Sequence, residues 1–197
     1  SRGRNPMVSS YPDYLALREQ TELFSGTVAF QMQIMSRATD AGSEVVIVES
    51  VSADYWEVHG LRLLLGRGFS AGEDDVSGAA ARVVITHALW RSAFGGDPAI
   101  VGKTIHVNRR GMTVAGVTGP GFRGTETGIA ADFFLTFSQL AEMSTLKNDD
   151  GRARLTRYDS QWVSAVGRLR PGMGLPQAVV IALLFAYTSI MAENLLH

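Results

Sequence analysis

ARVVITHALWRSAFGGDPAIVGKTIHVNRRGMTVAGV, residues 81–117, holds the pattern that decides the fold. Val83, Val84 and Ile85 make a short β-branched run of the kind that forms a buried strand. A helix follows, beginning near His87 and carrying Leu89, Trp90 and Phe94, and the glycines and proline at Gly95, Gly96 and Pro98 stop it. KTIHVNRRGMTVAGV then alternates at period two on both sides of a polar tip, Asn108, Arg109, Arg110 and Gly111, and predicts a hairpin. Strand, helix and hairpin in this order do not continue as steady strand–helix alternation, so a doubly wound parallel sheet is disfavoured.

The same grammar extends in both directions. Upstream, SYPDYLALREQTELF predicts a helix with Pro12 in its first turn and Gly26 beyond its end. Thr27–Met35 and Glu44–Val51 read as a second hairpin, turning through Asp40, Ala41, Gly42 and Ser43. A short helix over Asp54–Val58 ends at Gly60, and LRLLLGRGF leads to FSAGEDD. There Ser70 and Glu73 have capping-box spacing, with Asp74 and Asp75 placed to complement a helix dipole. Downstream, ADFFLTF predicts a strand, SQLAEM a short helix, LKNDDGRARLTRYDSQ a solvated loop and WVSAVGRL a strand. Pro171 and Gly172 turn the chain into a last helix with Pro176 near its first turn. The expected class is α+β: mixed and antiparallel sheets with hairpins and packed short helices, in one domain or two subdomains.

Composition narrows the function. The 197 residues carry 18 Lys+Arg against 19 Asp+Glu, a formal charge of −1, so no global field draws in nucleic acid or an anionic membrane. Their length supports burial of roughly 70% of the unfolded surface, enough for a core without staples. The absence of Cys excludes disulfides, thiolate metal sites and cysteine nucleophiles, and it is compatible with an oxidising compartment. The start, SRGRNPMVSSYPDY, has neither an initiator Met nor an apolar signal core and suggests a segment of a longer protein. VVIALLFAYTSIMA, residues 179–192, falls short of the roughly 20 apolar residues of a membrane span. It predicts a helix buried in protein, with contact to a partner or a membrane surface as the alternative.

Several constellations invite a chemical reading. Gly119, Gly121 and Gly124 spell GxGxxG after a strand, but a dinucleotide site needs a helix opening on the last glycine, and TETGIAADFF continues as loop and strand. A loop using glycine for unusual backbone angles is the better account. Glu73, Asp74, Asp75 and His87 have no ligand spacing, and His59 and His106 are isolated. No GxSxG elbow accompanies the available Ser, His and Asp residues. Arg152, Arg154 and Arg157 are interleaved with Asp149, Asp150 and Asp159, as in a solvated loop rather than a phosphate site. Trp56, Trp90 and Trp162 each stand beside apolar residues, where packing is expected. The residues therefore indicate no catalytic, cofactor or metal site, and leave any ligand site undefined.

Three blocks in order, VSADYWEVHGLRLLLGRGFSAGEDD, VVITHALWRSAFGGDPAIVGKTIHVNRRGMTVAGVTGPGFRG and AVGRLRPGMGLPQA, resemble the MacB-like periplasmic core domain of FtsX-like ABC transporter permeases. The most specific positions are Gly66, Arg67 and Phe69; Trp90 and Phe94 through Gly95, Gly96, Asp97 and Pro98 to Gly102; and Gly116 and Val117 through Pro120, Gly121 and Phe122. The chain departs from the family at His59, which stands in place of an aliphatic residue and puts a polar tip at a core edge, and in its unusually apolar last helix. The resemblance implies one domain over residues 1–197, extracytoplasmic, inserted between the first and second transmembrane helices of a permease. It implies a non-catalytic transport module with no cofactor of its own, ATP being hydrolysed on a separate cytosolic domain or subunit. The movement would serve export, lipoprotein release or regulation of a partner. The implied partners are that ABC ATPase, reached through the membrane part, a second copy or second permease, and a periplasmic protein; nucleic acid is not among them. A secreted or periplasmic hydrolase and a ligand-sensing domain are the alternatives from other classes.

Overall fold

A computed structural model describes residues 8–73, 75–76, 78–126, 128–143 and 151–172. In chain order the elements are α1 (Tyr11–Arg18), β1 (Phe24–Thr39), β2 (Gly42–Val51), α2 (Tyr55–His59), β3 (Leu65–Gly66), β4 (Arg82–Ile85), α3 (His87–Phe94), a 3₁₀ turn (Pro98–Ile100), β5 (Thr104–Val107), β6 (Arg110–Val117), β7 (Phe133–Thr136), α4 (Phe137–Met143), α5 (Gly151–Arg154) and β8 (Ser164–Leu169). The mixed sheet with short helices is the α+β class that the sequence predicts. The chain divides into two units, Ser1–Ala29 with Ala153–His197, and Phe30–Arg152.

In the second unit the sheet closes on itself. Its order is β2-β7-β4-β6-β5-β1, and β1 pairs in turn with β2. The β1–β2 hairpin is antiparallel from Phe30↔Val51 to Thr39↔Gly42, so its turn contains just Asp40 and Ala41, and both strands are longer than the periodicity indicates. Parallel pairs, β2–β7 and β4–β6, alternate with antiparallel ones. Closure rests on one bridge, Arg37↔Val107, reinforced by the β5–β6 turn. There Asn108 N donates to Ser36 O at 2.8 Å, and its side-chain oxygen accepts from Ser36 N at 2.9 Å. Closing a sheet removes exposed edges that would otherwise template association.

This turn also corrects the expected hairpin tip. It has two residues, Asn108 at φ 46° and Arg109 at φ 66°, while Arg110 and Gly111 belong to β6 opposite Val107 and His106. Left-handed backbone at both positions follows the right-handed strand twist, but Arg109 carries the steric cost of its Cβ. Arg109→Gly should therefore raise stability by about 0.5–1 kcal/mol, the relief of strain outweighing glycine's extra unfolded-state entropy. Denaturant unfolding of the two proteins measures it.

Side chains alternate across the closed sheet. Val46 and Val48 of β2, Val83 and Ile85 of β4, Met112 and Val114 of β6, and Phe133 and Leu135 of β7 join one core cluster with Leu89 and Trp90 of α3. α3 is seated by Thr86, whose hydroxyl accepts from Leu89 N, and ends at left-handed Gly95. Trp90 then donates from Nε1 to Asp97 O at 2.8 Å, tying the helix to the Gly95–Pro98 stop. The sequence reading of this region holds in type and order.

In the first unit, α1 begins with a capping box that the sequence reading passes over: Ser10 Oγ accepts from Asp13 N, and the Asp13 carboxylate accepts from Ser10 N. Ser9 bridges Val163, and Arg170 N donates to Leu23 O at 2.9 Å beside β8. Conversely, the box expected at Ser70 and Glu73 does not form. Both side chains go to the Arg67 guanidinium, at 3.1 and 2.7 Å, and residues 71–73 are a turn. The stretch read as one solvated loop includes α5. The predicted last helix and Pro176 lie outside the described residues.

Candidate functional site

The second apolar layer lies on the outer side of β2 and β7. Phe134 points away from the Phe133 and Leu135 side chains that fill the core, as strand alternation requires. It meets Trp56 at 5.1 Å edge-on, Phe122 at 5.6 Å stacked and Tyr55 at 6.1 Å between ring centroids. Phe69 adds a fifth ring, 6.4 Å from Trp56. Tyr55 and Trp56 come from α2, and left-handed Gly60 ends that short helix as predicted. His59 stays half-buried on it, its Nδ1 2.9 Å from Tyr55 O, which gives the family's departure at this position a local hydrogen bond.

Within this layer sits Glu49, fully buried on β2. Its two carboxylate oxygens accept from Thr125 N at 3.2 and 3.0 Å. The Tyr55 hydroxyl lies 2.6 Å from Thr125 Oγ1 and donates more weakly to Glu49 Oε1 at 3.4 Å. Burial raises the Glu49 carboxyl above the ordinary carboxylate range, against the opposing hydrogen bonds from Thr125 and Tyr55. Burial, with the neighbouring Glu49 charge, also pushes the Tyr55 hydroxyl upward, so it remains a donor. Gly124 is what lets the loop come so close: at φ 105°, a Cβ there would collide with Glu49 Oε2 and lie 3.3 Å from Cδ. The glycine-rich loop thus serves a buried acid. As the sequence predicts, it leads to a strand, β7.

Glu49, Tyr55 and Thr125 are absent from the sequence-derived candidates. A visible signal was available in EVVIVESV, where Glu49 interrupts a β-branched run at a position that β2 buries.

The described candidates that the sequence did raise are dispersed, while Asp74, Asp149 and Asp150 lie outside the described residues. The Glu73 carboxylate is held by Arg67, whose hydrogen bond lowers it, with Arg82 at 4.0 Å. Asp75 accepts from Gly72 N at 2.7 Å, and the His87 ring lies 5.5 Å from Trp90. Among the described residues no three His, Asp or Glu side chains gather as a metal site. His106 is exposed on β5. Arg157 makes a two-pronged pair with Asp159, at 2.9 and 2.6 Å, and Arg154 lies over the Trp162 ring at 4.7 Å. Trp56 and Trp90 are buried in packing roles, while Trp162 is half-buried beneath that arginine.

The chain matches the MacB-like periplasmic core domain over residues 2–180 and belongs to that family. It is similar to the periplasmic region of MacB from Actinobacillus actinomycetemcomitans, at 17% identity and TM-score 0.69, covering 94% of this chain and 77% of that one. The extracellular domain of the noncanonic ABC-type transporter YknZ from Gram-positive bacteria gives 18% and 0.57, with coverage of 83% and 75%. A domain of a putative permease protein from Porphyromonas gingivalis gives 20% and 0.64, with coverage of 90% and 69%. No curated protein sequence matches the chain. It is therefore an extracytoplasmic domain of a MacB-like ABC transporter permease. Among the described residues no helix is long and apolar enough to cross a membrane.

Proposed function

We propose that this chain is the non-catalytic lever of its permease: a domain over residues 1–197, inserted between the first and second transmembrane helices, that carries movement powered by a cytosolic ATPase to a cargo, a partner protein or a second copy. The observation that carries this reading is the pairing of distant chain segments in the first unit. Ser9 bridges Val163, and Arg170 donates to Leu23 O and Thr21 O. A body attached to a bilayer through both ends needs its entering and leaving strands side by side, so that one push moves the whole. The closed sheet of the second unit, with its filled interior, has the low compressibility that transmits a displacement. Of the described side chains that could suggest chemistry, Glu73 pairs with Arg67 at 2.7 Å, Arg157 with Asp159 at 2.6 Å, and Arg154 lies over the Trp162 ring.

The placement is tested by labelling. Because the chain has no Cys, a single Cys at exposed Glu57 in an otherwise Cys-free parent permease reports its own location. A membrane-impermeant maleimide should modify it in spheroplasts with an intact cytoplasmic membrane. Modification confined to lysed cells would refute the extracytoplasmic placement and the lever together.

A further inference from the structure

The geometry points to Glu49 as a proton-controlled latch on the Phe122–Glu126 segment, closed most firmly when the carboxyl is protonated and loosened when it is ionised. Two observations converge on it. The carboxyl is fully buried, and its partners are the backbone N–H and hydroxyl of Thr125, on the segment itself, and the Tyr55 hydroxyl. Gly124 stands against it in a left-handed conformation, with left-handed Gly121 nearby, so backbone freedom is concentrated where the segment would lift. Lifting the segment would remove Thr125 from the carboxyl and open its cover to water.

The charge that acts on the carboxyl favours the neutral acid. From the loop, Glu126 acts on Glu49 as a like charge. The loop also carries Arg123, and Asp132 follows it, accepting from Ile47 N at 2.9 Å. From α2, Tyr55 presents a neutral hydroxyl; Asp54, Glu57 and His59 are that region's other titratable groups, the His59 ring being 4.4 Å from that of Tyr55. Opposite Glu49, β1 presents Met32 and β7 presents Phe134, both uncharged. Burial is the largest influence, and it raises the carboxyl.

The direction follows from linkage. In the closed state the carboxyl holds its proton to a higher pH than in the open, hydrated state. Closure is therefore fully favoured below the ordinary carboxylate value and weakens as pH rises through the raised one. Loosening then exposes the Phe122 ring that stacks on Phe134, so a proton controls access to the aromatic layer.

Hydrogen exchange at Thr125 tests this in the 197-residue chain, with rates divided by the intrinsic chemical rate at each pH. In the wild type the opening constant should rise with pH between the two carboxyl values, by up to about tenfold per unit, and be flat on either side. Glu49→Gln should abolish that rise while keeping His59. Tyr55→Phe should keep the rise and extend it to higher pH, because one hydrogen bond to the ionised carboxyl is lost. It also serves as the second variant if Glu49→Gln does not fold. A flat wild-type profile, an undiminished rise in Glu49→Gln, or loss of the rise in Tyr55→Phe would each overturn the latch.

Discussion

Gly66→Ala is expected to cost about 3 kcal/mol, or roughly 6–12 °C in Tm, although it adds a single methyl group. Gly66 lies in β3 opposite Gly116 of β6, with Leu64 N donating to Val117 O at 2.8 Å and Arg67 N to Ala115 O at 3.0 Å. A Cβ on Gly66 would overlap the Ala115 carbonyl oxygen and lie 2.9 Å from Gly116 Cα, all backbone that no rotamer change can clear. Its φ of 67° adds the left-handed cost. Gly72→Ala is the control, since φ there is 81° with nothing within 4 Å of the added methyl. It should lose only about 1–2 kcal/mol, the strain alone. Equal losses at both sites in denaturant unfolding would show that close strand approach is not what Gly66 provides.

Phe134→Ala should cost about 3–5 kcal/mol, the range for emptying a fully buried aromatic site. The ring is fully buried, and it is the one that Trp56, Tyr55 and Phe122 all meet. Phe134→Leu, which retains most of the volume, should lose less than half as much. The alanine variant should also affect Glu49, which pairs in register with Phe134. Water entering the vacated space would relieve the burial that raises the carboxyl. The pH-dependent opening at Thr125 should then shrink in Phe134→Ala and persist in Phe134→Leu.

The sequence makes legible those features that depend on neighbours along the chain. The helix at Leu89 and Trp90 with its glycine stop, the short helix ending at Gly60 and the strand ADFFLTF all follow from local periodicity and punctuation. Errors arise where a competing partner decides, whether a few positions away or far along the chain. Ser70 and Glu73 have the right spacing for a cap, but Arg67 provides a charged donor that outcompetes orphan backbone amides. Arg110 and Gly111 look like turn residues, yet pairing with Val107 and His106 draws them into β6. Closure of the sheet depends on Asn108 meeting Ser36, which no local pattern announces. The site was least visible: Glu49 and Thr125 are separated by 76 positions. Only the family resemblance, carried by block order across most of the chain, reached the functional class.

The central claim is that the second unit moves as a stiff body when ATP is hydrolysed elsewhere. Distance measurements between spin labels in the reconstituted parent permease test it most directly. One pair would occupy the exposed Glu57 and Thr104 positions of this unit, and a second would join Glu57 to the membrane part of the permease. Between the nucleotide-free and ATP-trapped states the internal distance should hold while the distance to the membrane part changes. If neither distance responds to ATP, or if the internal one changes while the other stays fixed, the lever account is contradicted.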